Sequence, residues 1–370
     1  MLVVAVLVLF LLALIRTGDA TESSSRIFKV MNMNALNFVD GPNWDKRVYE
    51  IREMVLRHDP DCVAFEELRK DKNNSMLVNK YTHAILLAYS IFSLTKDDLV
   101  EHLKDKYPSW KYGTATMFNE IDEEGVAIAC KWAIHSASSI FMYPQVHCMD
   151  PMRRAVVHMS IAVGKSELSD AEAISADLVD LYATHWSYDD CNQDMNAIMT
   201  LELANSTSVG RSAFILGDFN AYKEAPNSLK LMEQVPLYLS GDFSSTHYMK
   251  DSWRALYPDE EEFPGYTFSP LEEKGGLHNR CDRIFYSGRV TPLSAEVDCE
   301  NPNSEIKPSD HCAYVFTSII SSTEKEWHYQ NSKGRKVSTQ NAHVATICVE
   351  IVAGVLILAI LNRKLDRAWK

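Results

Sequence analysis

Between residues 26 and 320, short runs of apolar, β-branched and aromatic residues alternate with stretches of helical periodicity. Such runs are typical of buried strands, and apolar residues recurring every three or four positions are typical of helices. Helices are predicted at roughly 45–58, 76–106, 189–204 and 226–234. Strands are predicted at Arg26–Met33, Cys62–Phe65, Gly125–Trp132, Arg154–Val163, Ala176–Thr184, Ala213–Leu216, Arg283–Tyr286 and Ala313–Ile319. This alternation, without a linker or an internal repeat, predicts one α/β domain over residues 21–320 with two packed sheets.

Residues 1–20 have the pattern of a signal peptide. They contain a long apolar run that is followed by Arg16 and by small residues ending at Ala20. The basic region that usually precedes such a run is missing, so an uncleaved signal anchor is the alternative. Two candidate glycosylation triplets, beginning at Asn73 and Asn205, agree with a secreted surface.

The C-terminal end predicts a membrane anchor. Residues 344–361 are apolar except for Glu350, and a basic tail follows at 362–370. The run is near the lower limit for spanning a bilayer, and its basic flank indicates a stop-transfer helix. An amphipathic or buried helix is the alternative. With the polar stretch 321–343 as a stalk, we expect a single-pass type I membrane protein with an extracellular or lumenal domain and a short cytoplasmic tail.

The charge balance narrows the classes of partner. The chain has 370 residues, with 50 acidic against 37 basic side chains and a net charge of −13. A surface this acidic repels polyanions, because duplex binding normally requires Lys and Arg to displace counterions. General nucleic-acid packaging is therefore excluded, whereas a metal-neutralised site that cuts nucleic acid is not.

In an oxidising compartment some of the cysteines are expected to pair, and at least one is expected to stay free or bond elsewhere. Of the 8 cysteines, Cys348 lies in the predicted membrane helix, which leaves an odd number outside it. Cys62 and Cys130 lie inside apolar strand patterns and are expected to be buried and free. Disulfides are expected among Cys148, Cys191, Cys281, Cys299 and Cys312.

Polar residues that can do chemistry fall at the ends of predicted strands. Polar groups at neighbouring strand ends can converge on one sheet edge, as a metal and phosphate site requires. Taken singly, each has an ordinary explanation as a turn residue, a cap or a satisfied histidine. The residues are Asn34, Glu67, His185, Asp218, Asn220, Asp282, Asp310 and His311.

Taken together and in order, these segments resemble the endonuclease/exonuclease/phosphatase superfamily. The matching segments read VMNMN, PDCVAFEEL, GVAIACKW, YATHWS, ILGDFNA, GYTF, CDRIFYSG and PSDH. Trp44–Arg47 also looks like the tryptophan–arginine helix start of that family. The resemblance covers roughly 26–320. It implies an α/β fold, a four-layer α/β/β/α sandwich with two packed mixed sheets, and metal-dependent hydrolysis of a phosphoester.

The resemblance also implies a metal site. Glu67 is expected to be the carboxylate ligand of Mg²⁺ or Mn²⁺, hard cations that favour oxygen ligands. Asp310 is expected to assist in the metal shell or at a second metal position, and Asn34 to position Glu67. The cation would polarise a phosphoryl oxygen and steady the leaving oxygen.

Five further positions match the catalytic residues of the family. Asp218 is expected to orient or deprotonate the attacking water, and Asn220 to donate hydrogen bonds to the phosphate. His311, held by Asp282, is a second candidate for general base or a cationic stabiliser of the transition state. His185 is expected to contact a non-bridging oxygen as charge builds. Which residue takes the proton stays open at this level.

Two departures from the family pattern stand out. Glu66 replaces the Gln that usually precedes the metal Glu, and it either points into the sheet or pairs with a base such as Arg69. Residues 71–98 look inserted and contain the apolar run AILLAYSIFSL. That run is either an ordinary core helix or a lip beside the active site that touches lipid.

The substrate is less determined than the reaction. The expected partners are a phosphoester substrate, namely a lipid head group, a nucleotide or a nucleic acid, and the membrane through the C-terminal helix. No obligate protein partner is inferred. The alternative function is a catalytically inactive extracellular binding or adhesion module on the same fold. The basic residues nearest the motifs are Arg153, Arg154, Arg280 and Arg283.

Overall fold

Twelve strands form two six-stranded sheets in the part of the chain that this computed structural model describes. The described residues are 25–70, 99–117, 123–167, 177–221, 226–241, 245–268, 277, 279–299 and 305–321. The predicted signal peptide, stalk, membrane helix and tail lie outside these residues, as do the Asn73 triplet and the insertion at 71–98. Within the described residues, no helix is both long and apolar enough to cross a bilayer.

The strands belong to two mixed sheets. They are β1 (Ser25–Asn34), β2 (Cys62–Lys70), β3 (Ser109–Met117), β4 (Glu123–Cys130), β5 (Ala133–Met142), β6 (Arg154–Ala162), β7 (Leu178–His185), β8 (Ser212–Asp218), β9 (Lys250–Asp251), β10 (Asp282–Gly288), β11 (Val290–Asp298) and β12 (Ala313–Ser321). The first sheet has the order β11-β12-β1-β2-β4-β3, and the second has the order β5-β6-β7-β8-β10-β9. The β1–β2 and β7–β8 pairs are parallel, and the other ladders are antiparallel.

Helices cover the outer faces of both sheets, except for the last one, whose Trp253 packs into the apolar cluster between the sheets. They are α1 (Trp44–His58), α2 (Leu99–Leu103), α3 (Asp190–Thr207), α4 (Pro226–Gln234) and α5 (Ser252–Leu256). Helix α1 buries positions that recur every three or four residues, and with α2 it packs against the outward apolar residues of the first sheet. Helices α3 and α4 pack in the same way on the second sheet. The layers are therefore α/β/β/α, as the resemblance implied.

A third apolar cluster fills the space between the two sheets. Phe28 on β1 packs against Phe214 on β8 with ring centroids 5.4 Å apart. Strand alternation sends every second residue of each strand into this layer. Going along β1, the inward positions change from Phe28 and Val30 to Asn32 and Asn34. The interior therefore turns polar at one end of the sandwich, and the candidate site lies there.

The prediction that Cys62 and Cys130 are free is wrong. These residues face each other directly across the β2–β4 ladder and form a disulfide. Both are fully buried, so they also satisfy the apolar pattern that suggested core thiols. An apolar strand pattern does not distinguish a buried thiol from a buried cross-strand bridge, because register decides which cysteines meet.

Four of the five cysteines expected to supply disulfides are paired, and the fifth is not. Cys281 is free and buried in the structure. The two further bridges are Cys148–Cys191 and Cys299–Cys312.

Candidate active site

Three strand ends of the second sheet place their polar residues side by side. In the ladder of β7, β8 and β10, His185 pairs with Asp218, and Asp218 pairs with Asp282. The three residues therefore form one row across adjacent strands. All are buried, although His185 and Asp218 also line an open cleft. The sequence prediction that these strand ends converge is thus confirmed by their positions.

Asn34 joins the two sheets at this edge. Its amide Nδ2 donates to Oε1 of Glu67 at 3.0 Å and to Oδ2 of Asp218 at 3.1 Å. Its Oδ1 accepts the backbone N–H of Leu36 at 3.0 Å, which fixes the orientation of the amide. Asn34 is fully buried, so one side chain holds two carboxylates from different sheets at a fixed separation.

A buried Asp–His pair lies beside this bridge. Oδ2 of Asp282 lies 2.7 Å from Nδ1 of His311, and Oδ1 accepts a hydrogen bond from Nδ2 of Asn32 at 3.0 Å. The other ring nitrogen of His311 lies 3.6 Å from Oδ2 of Asp218. The ring of Phe268 packs on the imidazole with centroids 4.9 Å apart. His311 is therefore oriented from one side and presents Nε2 to Asp218 and the cleft.

Asn220 connects Asp218 with His185. Its backbone N–H donates to Oδ1 of Asp218 at 2.9 Å, and its Nδ2 lies 3.0 Å from Nε2 of His185. Gln193 in turn donates to the carbonyl of Asn220 at 2.9 Å. Asp218 therefore accepts an N–H group on each oxygen, from Asn34 on Oδ2 and from Asn220 on Oδ1. The two bonds keep its carboxylate in a single orientation.

Asp310 lies at the cleft, where a buried arginine holds the surrounding loops. The guanidinium of Arg47 donates to the carbonyls of Ala35 at 2.8 Å, Leu36 at 2.7 Å and Pro308 at 3.1 Å. Asp310 lies two residues after Pro308 and lines the cleft together with Glu67. The tryptophan–arginine helix start thus positions the loops that follow β1 and precede β12.

Backbone conformation marks two of the site residues. Glu67 and Asn220 have φ of 55° and 46°, in the left-handed region that residues other than glycine rarely adopt. The strain at Glu67 coincides with an irregularity in the β2–β4 ladder between Phe65 and Leu68. This bulge turns Glu67 out of the alternation of β2 and into the cleft. Residues in strained conformations concentrate at functional sites.

The two histidines have opposite proton affinities. Burial and the nearby positive charge of Arg154 lower the pKa of His185 to about 3, so His185 is neutral at physiological pH. Burial also disfavours the charged form of His311, but the carboxylates of Asp282 and Asp218 outweigh it and hold its pKa well above the ordinary value. His311 is therefore a cation at neutral pH, whereas His185 acts as a neutral hydrogen-bonding group.

Glu66 points into the interior between the sheets. It alternates with Ala64 of the inter-sheet core, is 0% exposed, and neither carboxylate oxygen has a hydrogen-bond partner. It therefore makes no hydrogen bond to Arg69, and the first of the two predicted orientations is the observed one. Burial first, and then the charges of Asp282 and Asp218, raise the pKa of Glu66 well above its usual value.

Several cleft residues were missed by the sequence reasoning. Asn37 donates to Asp40 at 2.6 Å and to Glu124 at 2.9 Å, and both carboxylates line the cleft. Burial and the charge of Glu67 raise the pKa of Glu124 to about 7. Glu124 reaches the site because β4 runs antiparallel to β2 and pairs Glu124 with Arg69. No local motif marks it, since only this register brings it near Glu67.

The arginines near the motifs have separate environments. Arg154 lines the cleft, with Nη2 donating to Asp150 at 2.9 Å. Its Nε is buried without a partner. Arg280 and Arg283 are instead buried against Asp251, with N–O distances of 2.9 and 3.0 Å. Of these three, only Arg154 is placed to meet an anion in the cleft.

The donor set fits a hard divalent cation. Oxygen and nitrogen atoms of Glu67, His185 and Asp218 lie within 4.8 Å of one another, and Asp310 lines the same cleft. Carboxylate oxygens are the ligands that Mg²⁺ and Mn²⁺ prefer. Burial, opposed by the hydrogen bond from Asn34, raises the pKa of Glu67, which a bound cation would counteract. Glu67, assisted by Asp310, is the group that would hold it.

The fold and this constellation define a class of protein, the metal-dependent phosphoesterases built on two packed sheets. Carboxylates, a buried Asp–His pair and amide donors from both sheets meet at one edge of the sandwich. The chain belongs to the Endonuclease/Exonuclease/phosphatase family, whose sequence profile matches residues 31–311. No curated protein sequence matches this chain.

Solved structures of other proteins have the same fold. The human Nocturnin catalytic domain with bound sulfate is 16% identical, with a TM-score of 0.53, and the match covers 81% of this chain and 97% of that one. D. rerio TDP2 in complex with a single-strand DNA product is 14% identical, with a TM-score of 0.52 and coverage of 79% and 98%. A Beutenbergia cavernae family protein is 14% identical, with a TM-score of 0.53 and coverage of 80% and 72%. At these identities the likeness shows the fold.

Proposed function

We propose that the protein hydrolyses a phosphodiester in a reaction that depends on Mg²⁺ or Mn²⁺. The observation that carries this proposal is the Asn34 bridge, which fixes Glu67 and Asp218 together beside the charged His311. A module that only binds a partner has no need for a buried Asp–His pair at the same edge. The inactive binding or adhesion module is therefore the weaker candidate.

Each residue has a role in the proposed reaction. A cation bound at Glu67 would supply positive charge beside the phosphoryl and leaving oxygens. Asp218 accepts a proton from water as the water oxygen bonds to phosphorus and the phosphorus–leaving-oxygen bond breaks. Charged His311 and neutral His185 donate hydrogen bonds to oxygens that gain negative charge. Arg154 orients the phosphate. Asn220 holds Asp218 and His185 in place, because its Nδ2 is directed at His185 and at the carbonyl of Trp186 rather than at the phosphate.

Purified full-length protein tests this proposal on a panel of substrates. The panel contains single-stranded and duplex DNA, RNA, sphingomyelin, phosphoinositides and a chromogenic diester, each with Mg²⁺ and with a chelator. We expect Mg²⁺-dependent hydrolysis of at least one diester. Glu67→Gln is expected to raise the Mg²⁺ concentration needed for half-maximal rate. Absence of turnover on every substrate would favour the binding module.

We further propose that the catalytic domain lies outside the cytosol and is tethered by residues 344–361. Three disulfides support this location, because disulfides persist in oxidising compartments. Asn205 lies in the last turn of α3 with its amide donating to the carbonyl of Pro236 at 3.1 Å, and a glycan would replace only one of its two N–H groups. Glycosylation is therefore expected at Asn73 and at Asn205, and Asn73→Gln and Asn205→Gln should each remove one glycan.

A further inference from the structure

Six large apolar side chains are exposed at residues 141–152 and 188, and two of them line the cleft. These side chains, called the apolar rim, belong to Phe141, Tyr143, Val146, Met149, Met152 and Tyr188. Val146 is fully exposed, and Met149 is 84% exposed. Exposed apolar patches of this kind mark interaction sites on soluble domains. Only Met152 and Tyr188 of the six also line the cleft, so a substrate in the cleft leaves most of the rim uncovered.

The loop that carries most of the rim is fixed to the rest of the domain. The backbone N–H groups of Met149 and Asp150 donate to Oδ2 of Asp189 at 2.6 and 3.2 Å. The Cys148–Cys191 disulfide joins the same loop to the first turn of α3. The apolar side chains are therefore held outward by the backbone, and they present a preordered surface to a partner.

The charge around the rim differs from that of the rest of the chain. Residues 133–153 contain one acidic residue, Asp150, in a chain with 50 acidic residues. Asp150 is buried and forms an ion pair with Arg154. The guanidinium of Arg153 lies 5.1 Å from the ring centroid of Phe141, at the edge of the rim. Between residues 133 and 153 no carboxylate is exposed, although Asp190 is exposed two residues from Tyr188. A guanidinium is placed where it can meet phosphate.

We propose that the apolar rim docks onto a bilayer of zwitterionic phospholipid. Aliphatic side chains enter the headgroup boundary, and aromatic side chains such as Tyr143 sit at its polar level. The net charge of −13 opposes both an anionic membrane and a second copy of the chain. A zwitterionic surface avoids this repulsion, and Arg153 can contact its phosphates. The cleft then opens next to the lipid headgroups through Met152 and Tyr188.

Hydrogen–deuterium exchange of the full chain tests this docking without measuring hydrolysis. Exchange in the peptide spanning residues 143–149 is compared with and without phosphatidylcholine vesicles, in the presence of a chelator. The double variant Val146→Asp/Met149→Asp removes the apolar contact, and Ile27→Asp is the matched control. Ile27 is 64% exposed and lies at the end of β1 opposite Asn34. The single variant Val146→Asp is included in case the double variant does not fold.

Vesicles are expected to slow exchange several-fold in the wild type and in Ile27→Asp, but not in either rim variant. The readout is local, so a tether at 344–361 would act equally in all four proteins. Replacing part of the phosphatidylcholine with phosphatidylserine should not increase the protection. The proposal is overturned by unchanged exchange in the wild type or by equal protection in the rim variants. Protection that appears without vesicles as protein concentration rises would assign the rim to a second copy instead.

Discussion

His311 and Asp282 form a buried pair in which Nδ1 of the imidazole lies 2.7 Å from Oδ2 of the carboxylate. The second oxygen of Asp282 is occupied by Asn32. Asp282 thus orients the ring and holds the pKa of His311 well above its ordinary value, although burial acts in the opposite direction. The proposed cationic role of His311 depends on this pair.

Asp282→Asn should reduce the rate and change its pH dependence. The amide removes the negative charge that favours protonated His311, so the pKa of His311 should fall. Loss of a positioned acid or base typically costs about 10²–10⁴-fold in rate. In the wild type, activity should decline only as pH rises through the elevated pKa. In Asp282→Asn the decline should begin at lower pH, as kcat/KM measured across pH would show. If kcat/KM declined at the same high pH in the variant and in the wild type, His311 would not act as a cation.

Asn34→Ala should destabilise the metal-free protein. The change removes two hydrogen bonds to carboxylates, each worth roughly 1.5–3 kcal/mol when the partner is charged. Glu67 and Asp218 would then face each other without the amide between them. Denaturant unfolding with a chelator should show the loss, and added Mg²⁺ should restore part of it. Equal stability of the variant and the wild type would show that the bridge does not hold the two sheets together.

Glu66→Gln should stabilise the protein and leave activity intact. The folded state raises the pKa of Glu66 above 4.5, so it holds a proton more tightly than the unfolded state does. The free energy of unfolding therefore falls as pH rises above the unfolded pKa, and the fall ends near the folded pKa. Glutamine has no proton to lose, so in Glu66→Gln this part of the dependence of the free energy of unfolding on pH should vanish. Unfolding curves from pH 4 to about 8 test it, and an unchanged slope would contradict it.

The Cys62–Cys130 bridge should contribute to stability. Replacing both residues with Ala is expected to cost about 2–5 kcal/mol, as for other native disulfides. Peptide mapping under non-reducing conditions should recover the two residues in one linked fragment. Recovery of both as free thiols in folded protein would restore the sequence expectation.

The sequence pattern predicted the interior strands of each sheet but not the edge strands. All eight interior strands were predicted, and the four edge strands β3, β5, β9 and β11 were not. Strand β5 alternates buried or half-buried with exposed residues and contains four small polar or histidine positions, and β11 contains Pro292. Apolar runs identify strands covered on both faces. Edge strands lack that signal, because part of their side chains is open to solvent.

The residues of the candidate site could be predicted from the sequence where a polar residue directly ends a predicted strand. Asp218 and His185 follow apolar runs, and strand order places such ends side by side. Glu124 and Arg154 begin strands and reach the cleft only through the antiparallel registers of β4 and β6. Register depends on long-range pairing, which a local pattern does not contain.

The rates of Asp218→Asn and His311→Ala in Mg²⁺-dependent diester hydrolysis test the central claim most directly. Both substitutions remove a group that meets the attacking water or the developing charge, and Asp218→Asn keeps the shape of the side chain. Each variant should fold and lose at least about 10²-fold in kcat, with Ile27→Asp at the wild-type rate. Retention of more than about a tenth of the wild-type rate by both variants would contradict the assignment of this edge of the sandwich as the active site.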